Sequence, residues 1–218
     1  MSESVKRRYD SPRRRAQAAE TRRQILVAAQ RLFEEQGYAS TSVAAIAAEA
    51  GVALKTVYVT FETKSGVLRA LWNLLLRGDD ESTPIADRDW YRAVLAEPDP
   101  ERQIRRVAHG SRLVKERVGA VFGVIRSAAP VDPDIAALWE RIESEFYENQ
   151  KEIVASLSSR KALRPGLDIR RATDILWSLN HPDVWLLLVG KRGWSPEAFE
   201  KWLREAISAQ LLKPRDPR

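Results

Sequence analysis

The sequence predicts an all-α protein: an N-terminal three-helix domain containing a helix-turn-helix, followed by a larger helical C-terminal domain. Three observations predict it. Apolar residues recur at i, i+3 and i+4 along nearly the whole chain, and no run alternates apolar and polar with period two. Glycine and proline, 10 and 11 of 218 residues, stand mostly at punctuation points between these periodic segments.

Each element follows in order. Ile25, Ala28, Ala29, Leu32 and Phe33 form one stripe that closes at Gly37, a residue suited to a helix C-terminus. Thr41 or Ser42 can cap the next helix, which carries Val43, Ile46, Ala47 and Ala50. Gly51 interrupts the pattern, and a short helix around Leu54–Phe61 follows, with Val57 and Phe61 on one face. Lys64 opens an apolar helix through Val67, Leu68, Leu71, Trp72 and Leu75 that stops at Gly78. Residues 79–89 are polar and acidic and read as a loop before a short segment, Trp90–Leu95. Pro100 suits a first helical turn, and the stripe from Ile104 to Ile125 makes one long helix or two joined at Gly110. Asp132 caps the next helix and Pro133 lies in its first turn; the stripe runs on to Leu157, about seven turns. Asp168 starts another helix, Asn180-His181-Pro182 restarts the chain, and Phe199, Trp202, Leu203, Ala206 and Ile207 mark the last helix. The expected organisation is a basic arm over 1–20, a helix-turn-helix domain over 21–66 and a second domain over 67–213.

Composition narrows the function. The chain is 44% hydrophobic and 30% charged, enough for a buried core under a polar surface. It has no cysteine, which excludes disulfides and thiolate metal sites. The apolar runs LWNLLL and VWLLLV fall far short of the roughly 20 residues that span a bilayer. With a charged N-terminus that lacks an apolar signal region, a cytoplasmic protein with no membrane partner is expected. Of the net charge of +6, residues 1–23 hold eight basic against three acidic groups, 8 − 3 = +5. Such an arm, including Arg14, Arg15 and Arg22, attracts phosphate and releases counterions on binding.

An arm of this kind precedes AEAGVALKTVYVTFETK, residues 48–64. A helix, a short turn containing glycine and a second helix form the unit that reads a DNA major groove. Ala47 and Ala50 allow close approach of the two helices, and Gly51 suits the turn. Ile46, Val52, Val57 and Phe61 would be buried, leaving Leu54, Lys55, Thr56, Val59 and Thr60 outward, where they fit a groove and can meet phosphates, bases and thymine methyls. Helix N-termini near Thr41, Ser42 and Lys64 can receive phosphate through free backbone N–H groups. A buried helical corner with an incidental lysine would show the same periodicity.

The stretch GYASTSVAAIAAEAGVALKTVYVTFETKSGVL, residues 37–68, resembles the DNA-binding domain of TetR-type (TetR/AcrR-like) transcriptional regulators, as does TRRQILVAAQRLFEEQGY before it. The resemblance implies that Thr41, Thr56, Tyr58 and Lys64 occupy phosphate- and base-facing positions. Departures are Ala53 at a position where a capping Ser is common, Leu54-Lys55 for Pro-Gly, Thr60 for His or Tyr, and Ala44 for Arg. Residues 24–64 carry three basic and four acidic groups, so phosphate attraction rests on the arm.

The C-terminal part resembles the same family. That implies a homodimer through the last two long helices, with Ile175, Leu179, Phe199, Leu203, Ile207 and Leu211 at the interface. It also implies a small-molecule cavity, for which Trp72, Trp139 and Trp177 are candidate walls and His109 and Arg112 candidate anchors; the alternative for Arg112 is an i, i+4 pair with Glu116. The expected function is a ligand-released repressor on palindromic double-stranded DNA, with the Lys64–Arg77 helix as lever. The alternative is a DNA-binding adaptor without ligand, whose second domain would be solidly packed where a sensor would hold several hundred Å3. A helical enzyme is a remote third reading. The two histidines, His109 and His181, lack the Glu-x-x-His pairing of a di-metal bundle, and no cofactor or metal is expected.

Overall fold

The computed structural model describes residues 12–77 and 89–214. They are helical throughout, apart from loops and one isolated bridge between Leu163 and Leu212. Lys6, Arg7 and Arg8 of the expected arm, Gly78 and most of the expected acidic loop lie outside the described residues. The chain divides into two compact units, residues 1–71 and 72–218.

The first unit contains α1 (Pro12–Ser40), α2 (Val43–Glu49), α3 (Leu54–Phe61) and the start of α4 (Lys64–Arg77). α1 begins inside the expected arm, so Arg13, Arg14 and Arg15 stand on a helix. The stripe Ile25, Ala29, Leu32 and Phe33 is buried with Ile46, Val57, Phe61 and Leu68, as its period requires. Gly37, expected as a terminus, leaves helical geometry at φ +76° and ψ 171°, so the long helix closes there and a separate short helical turn carries α1 on to Ser40.

The second unit contains α5 (Asp89–Ala96), α6 (Pro100–Ala128), α7 (Pro133–Ser159), α8 (Ile169–Leu179), α9 (Pro182–Trp185) and α10 (Pro196–Leu211). Asp99, Asp132, Asp168 and Ser195 each cap a helix, accepting N–H bonds from its first turn. α6 passes unbroken through Gly110. After α9 the chain makes a π-helical segment, residues 186–191, that the sequence did not announce. Leu176, Phe199, Leu203 and Ile207 are fully buried in one core with Ile104, Val154 and Leu157.

Candidate nucleic-acid interface and buried cavity

Helices α2 and α3 form the corner of the first unit. Ser42 caps α2, its Oγ accepting the Ala45 N–H at 3.0 Å. Ile46 and Ala47 are buried, and Gly51 turns the chain at φ +66°. The two helices are bent by 112°, within the range of a helix-turn-helix. α3 begins at Ala53 without a side-chain cap. Its inner face is Val57 and Phe61; outward stand Leu54, Lys55, Tyr58 at 48% exposure and Val59 at 75%. Thr56 and Thr60 are half-covered, the Thr60 hydroxyl donating back to Thr56 O at 2.7 Å. An uncovered valine beside a tyrosine and a lysine offers a methyl contact, a hydroxyl and a charge to a groove. Ser42, Arg14, Arg15 and Arg22 are exposed, the Arg22 guanidinium lying 4.5 Å over the Phe61 ring.

Two expected DNA contacts face inward. Thr41 is 1% exposed, and its hydroxyl donates to Gly37 O at 2.8 Å and Leu32 O at 3.2 Å. Lys64 is half-buried, with Nζ donating to Tyr38 O at 2.8 Å and Thr41 O at 3.0 Å and lying 4.1 Å over the Tyr38 ring. Both residues satisfy carbonyls around the end of α1, where a helix leaves acceptors unpaired and favours a cation. Lys64→Met is therefore expected to cost the first unit about 1–3 kcal/mol, read as an earlier urea midpoint. A phosphate contact would instead lower DNA affinity with the midpoint unchanged.

The junction of α3 and α4 holds residues the sequence reading missed. Glu62 has φ +65° and ψ −48°, and Thr63 N–H bonds Phe61 O at 2.7 Å, a γ-turn of the strained, positive-φ kind. Thr63 then caps α4, its Oγ1 accepting the Gly66 N–H at 2.9 Å. A Cβ on Gly66 would sit 2.0 Å from Phe61 O. Thr-x-x-Gly ahead of an apolar stripe was the available signal for the cap; nothing local signalled the contact.

The second unit holds a partly open cavity of about 130 Å3, smaller than the several hundred expected of a sensor. Trp72, Trp90, Phe122 and Phe146 supply much of its aromatic wall, and Ser111, Lys115, Gln150 and Asn180 its polar side. Of the expected ligand residues only Trp72 lines it. Trp139 packs behind Phe122, ring centroids 4.9 Å apart, and Trp177 lies edge-on to His181 at 4.9 Å. His109 and Arg112 face α10: His109 Nδ1 lies 3.3 Å from Glu200, and Arg112 Nε donates to Glu200 at 2.6 Å. Arg112 also donates to Glu116 at 3.0 Å. The cavity face of α6 runs through Val107, Ser111, Val114, Lys115 and Val118, and 109 and 112 fall off that stripe.

The expected dimer residues divide likewise. Phe199, Leu203, Ile207 and Leu211 are fully buried inside this chain and cannot meet a partner. Their i, i+4 stripe is the core face of α10, whereas Ile175 and Leu179 are half-covered, as are Trp202 and Ala206.

Lys115 is the group the sequence reading overlooked. It is 4% exposed, and burial pushes its ammonium down to about 7 from the usual lysine range. Nζ donates to Asn180 Oδ1 at 2.7 Å and to Ser111 Oγ, and Ser111 donates to the same Asn180 oxygen. Asn180 Nδ2 in turn donates to Gln150 Oε1 at 3.1 Å. A lysine adjoining the Val114 and Val118 stripe was the signal that could have found it.

Residues 25–71 match the family model described as "Bacterial regulatory proteins, tetR family". The sequence is 25% identical to the HTH-type transcriptional regulator TtgR of Pseudomonas putida over 210 residues, 93% of this chain and 97% of the relative. It is 45% identical over 58 residues, 27% of each chain, to the HTH-type transcriptional regulator AcrR of Shigella flexneri. The fold is similar to that of NalD, the secondary repressor of the MexAB-OprM multidrug efflux pump in Pseudomonas aeruginosa. There the TM-score is 0.69 at 24% identity, covering 93% of this chain and all of that one.

Proposed function

Since the chain is a TetR-type transcriptional regulator, a DNA-binding protein and not an enzyme, we propose that it is a cytoplasmic homodimeric repressor, released from a palindromic operator when a small molecule fills its cavity. The observation that carries this reading is the uncovered outer face of α3, with Val59 three-quarters exposed beside Lys55 and Tyr58. In it, Lys55, Thr56, Tyr58, Val59 and Thr60 meet base edges and the adjoining backbone. Ser42 and the arginines Arg14, Arg15 and Arg22 hold phosphates. Two such helices address half-sites about 34–36 Å apart only through a two-fold axis. The half-covered faces of α8 and α10, with Ile175, Leu179, Trp202 and Ala206, are assigned to it.

The cavity is smaller than a sensor was expected to hold, but the second unit is not solidly packed as an adaptor's would be, and on that ground the sensor is favoured. α4 runs from Lys64, beside the reading helix, to Trp72 in the cavity wall, and is the proposed lever. A ligand that prefers one position of α4 lowers operator affinity by its differential affinity for the two states. That NalD is a repressor supports the same direction of control.

The test is selection of bound genomic DNA by the purified protein at stated salt. A palindrome with half-sites one turn apart is expected. Tyr58→Ala should weaken that site by roughly 10- to 100-fold with no change in unfolding midpoint. A variant with Arg13, Arg14 and Arg15 changed to Ala should lose affinity for all sequences alike and show a shallower salt dependence. Binding that is sequence-indifferent and vanishes with those arginines would overturn the reading.

A further inference from the structure

The cavity pairs an apolar wall, in which Trp72, Trp90, Tyr91, Phe122 and Phe146 stand among aliphatic residues, with one buried amine. Lys115 reaches it from α6, and its hydrogen-bond partners are the neutral Ser111 and Asn180. The charged groups around it are engaged elsewhere. Glu143 of α7, also on the cavity wall, lies 3.3 Å from His181 Nε2. Glu200 of α10 holds Arg112 and His109, while α10 turns only the Phe199 ring toward the ammonium, at 5.7 Å. From α5, Tyr91 donates its hydroxyl to Glu152 and to Asn149 O, each at 3.0 Å. Glu145 on the rim is exposed. Among the described residues, then, no carboxylate pairs with Lys115.

A buried cation without a counter-ion is costly, and a cavity beside it gives an anion somewhere to sit. We propose that the cavity takes an aromatic monocarboxylate, whose acid group pairs with Lys115 while its ring lies among Trp72, Trp90, Phe122 and Phe146. The site deepens the sensor reading and rests on it for its regulatory meaning, but not for its chemistry. Ser111 and Asn180 hold the amine against the wall, and Lys115 uses two of its three N–H donors on them. The carboxylate receives the third. A neutral aryl alcohol gains the same ring contacts without the charge-assisted bond. An aryl ammonium meets a like charge whenever Lys115 is protonated and gains no ion pair when it is neutral.

Binding also moves a proton. The free amine is largely neutral at pH 8, since burial holds it near 7. Pairing with a carboxylate favours the ammonium, so about one proton is taken from solvent per ligand bound.

The experiment is calorimetric titration of the full chain at pH 8 with 1-naphthoate, 1-naphthalenemethanol and 1-naphthylmethylammonium, in two buffers of different ionisation enthalpy. Naphthoate is expected to bind at least about tenfold more tightly than the alcohol, with uptake of close to one proton. Lys115→Met should keep the fold and bring naphthoate down to the alcohol or below, without the proton. Thermal unfolding of the variant separates this loss from misfolding. Absence of naphthoate binding, a preference for the ammonium or the alcohol, or an unchanged preference in Lys115→Met would each overturn the proposal. Operator release is measured separately. Naphthoate that binds through Lys115 but leaves operator affinity unchanged sinks the sensor reading alone. A different apolar ligand that releases the operator, with naphthoate inert, sinks this inference alone.

Discussion

Gly66→Ala is expected to unfold the first unit and abolish operator binding while leaving the second unit intact. The methyl would lie 2.0 Å from Phe61 O, a backbone oxygen, and 3.2 Å from Phe61 C and Thr63 Oγ1. A side chain could swing away from such a contact; this carbonyl is fixed by the γ-turn bond from Thr63. Either the γ-turn opens or the first turn of α4 lifts, and with it go Lys64 and its two bonds at the end of α1. Overpacking against mobile core side chains costs about 1–3 kcal/mol, and backbone contact should exceed that. Proteins hold only roughly 0.05–0.15 kcal/mol of net stability per residue, so a unit this short has little to lose. Two urea transitions are expected in the variant, the early one followed by amide signals of residues in α1 to α3. The neighbouring change Glu62→Gly should move the other way, by about 1 kcal/mol, because glycine accepts positive φ without strain. If Gly66→Ala unfolds with the native protein's midpoint, the close contact does not exist.

What the sequence revealed and what it hid follow one division. Features set by neighbours within a few residues were readable: Asp132 as a cap, Asp168 as a helix start, the missing cap at Ala53, the turn at Gly51, and the split of α3 into a buried Val57–Phe61 face and an outer one. Thr41 and Lys64 looked like surface polar groups because their partners lie elsewhere in the chain; Lys64 bonds residues 26 and 23 positions away. Periodicity marked the stripe Phe199, Leu203, Ile207 as apolar but could not say whose core it enters. The chain's own core claims it, and any partner is left the adjoining half-covered face. The π-helical segment at 186–191 has no local signature, since LLLVGK reads equally well as an ordinary helix. The cavity's key group was hidden by a default, that a lysine among polar neighbours faces water.

That default frames the second large effect. Lys115→Met is expected to stabilise the protein at pH 7 by about 1–4 kcal/mol, the range found when buried ionic groups give way to apolar ones of similar volume. The removed ammonium leaves no orphan, because Ser111 still donates to Asn180 Oδ1. The effect should depend on pH in a set direction. Folded Lys115 releases its proton near 7, the unfolded chain near 10.5. Between those values the unfolded state binds more protons, so native stability climbs with pH, by at most about 1.4 kcal/mol per unit. Below 7 the penalty is complete and constant. Methionine has no proton to lose, so the advantage of the variant should be largest at pH 7 and below and fade toward pH 10. The difference between the two curves isolates Lys115 from every other titrating group. Urea unfolding of both proteins at half-unit steps from pH 6 to 10 measures it. Adding 1-naphthoate should narrow the gap at pH 7 from the native side, since a counter-ion relieves the same penalty the mutation removes. Parallel curves across the whole range would mean that Lys115 keeps its charge hydrated in the folded state. The cavity would then lack the feature that selects an acid.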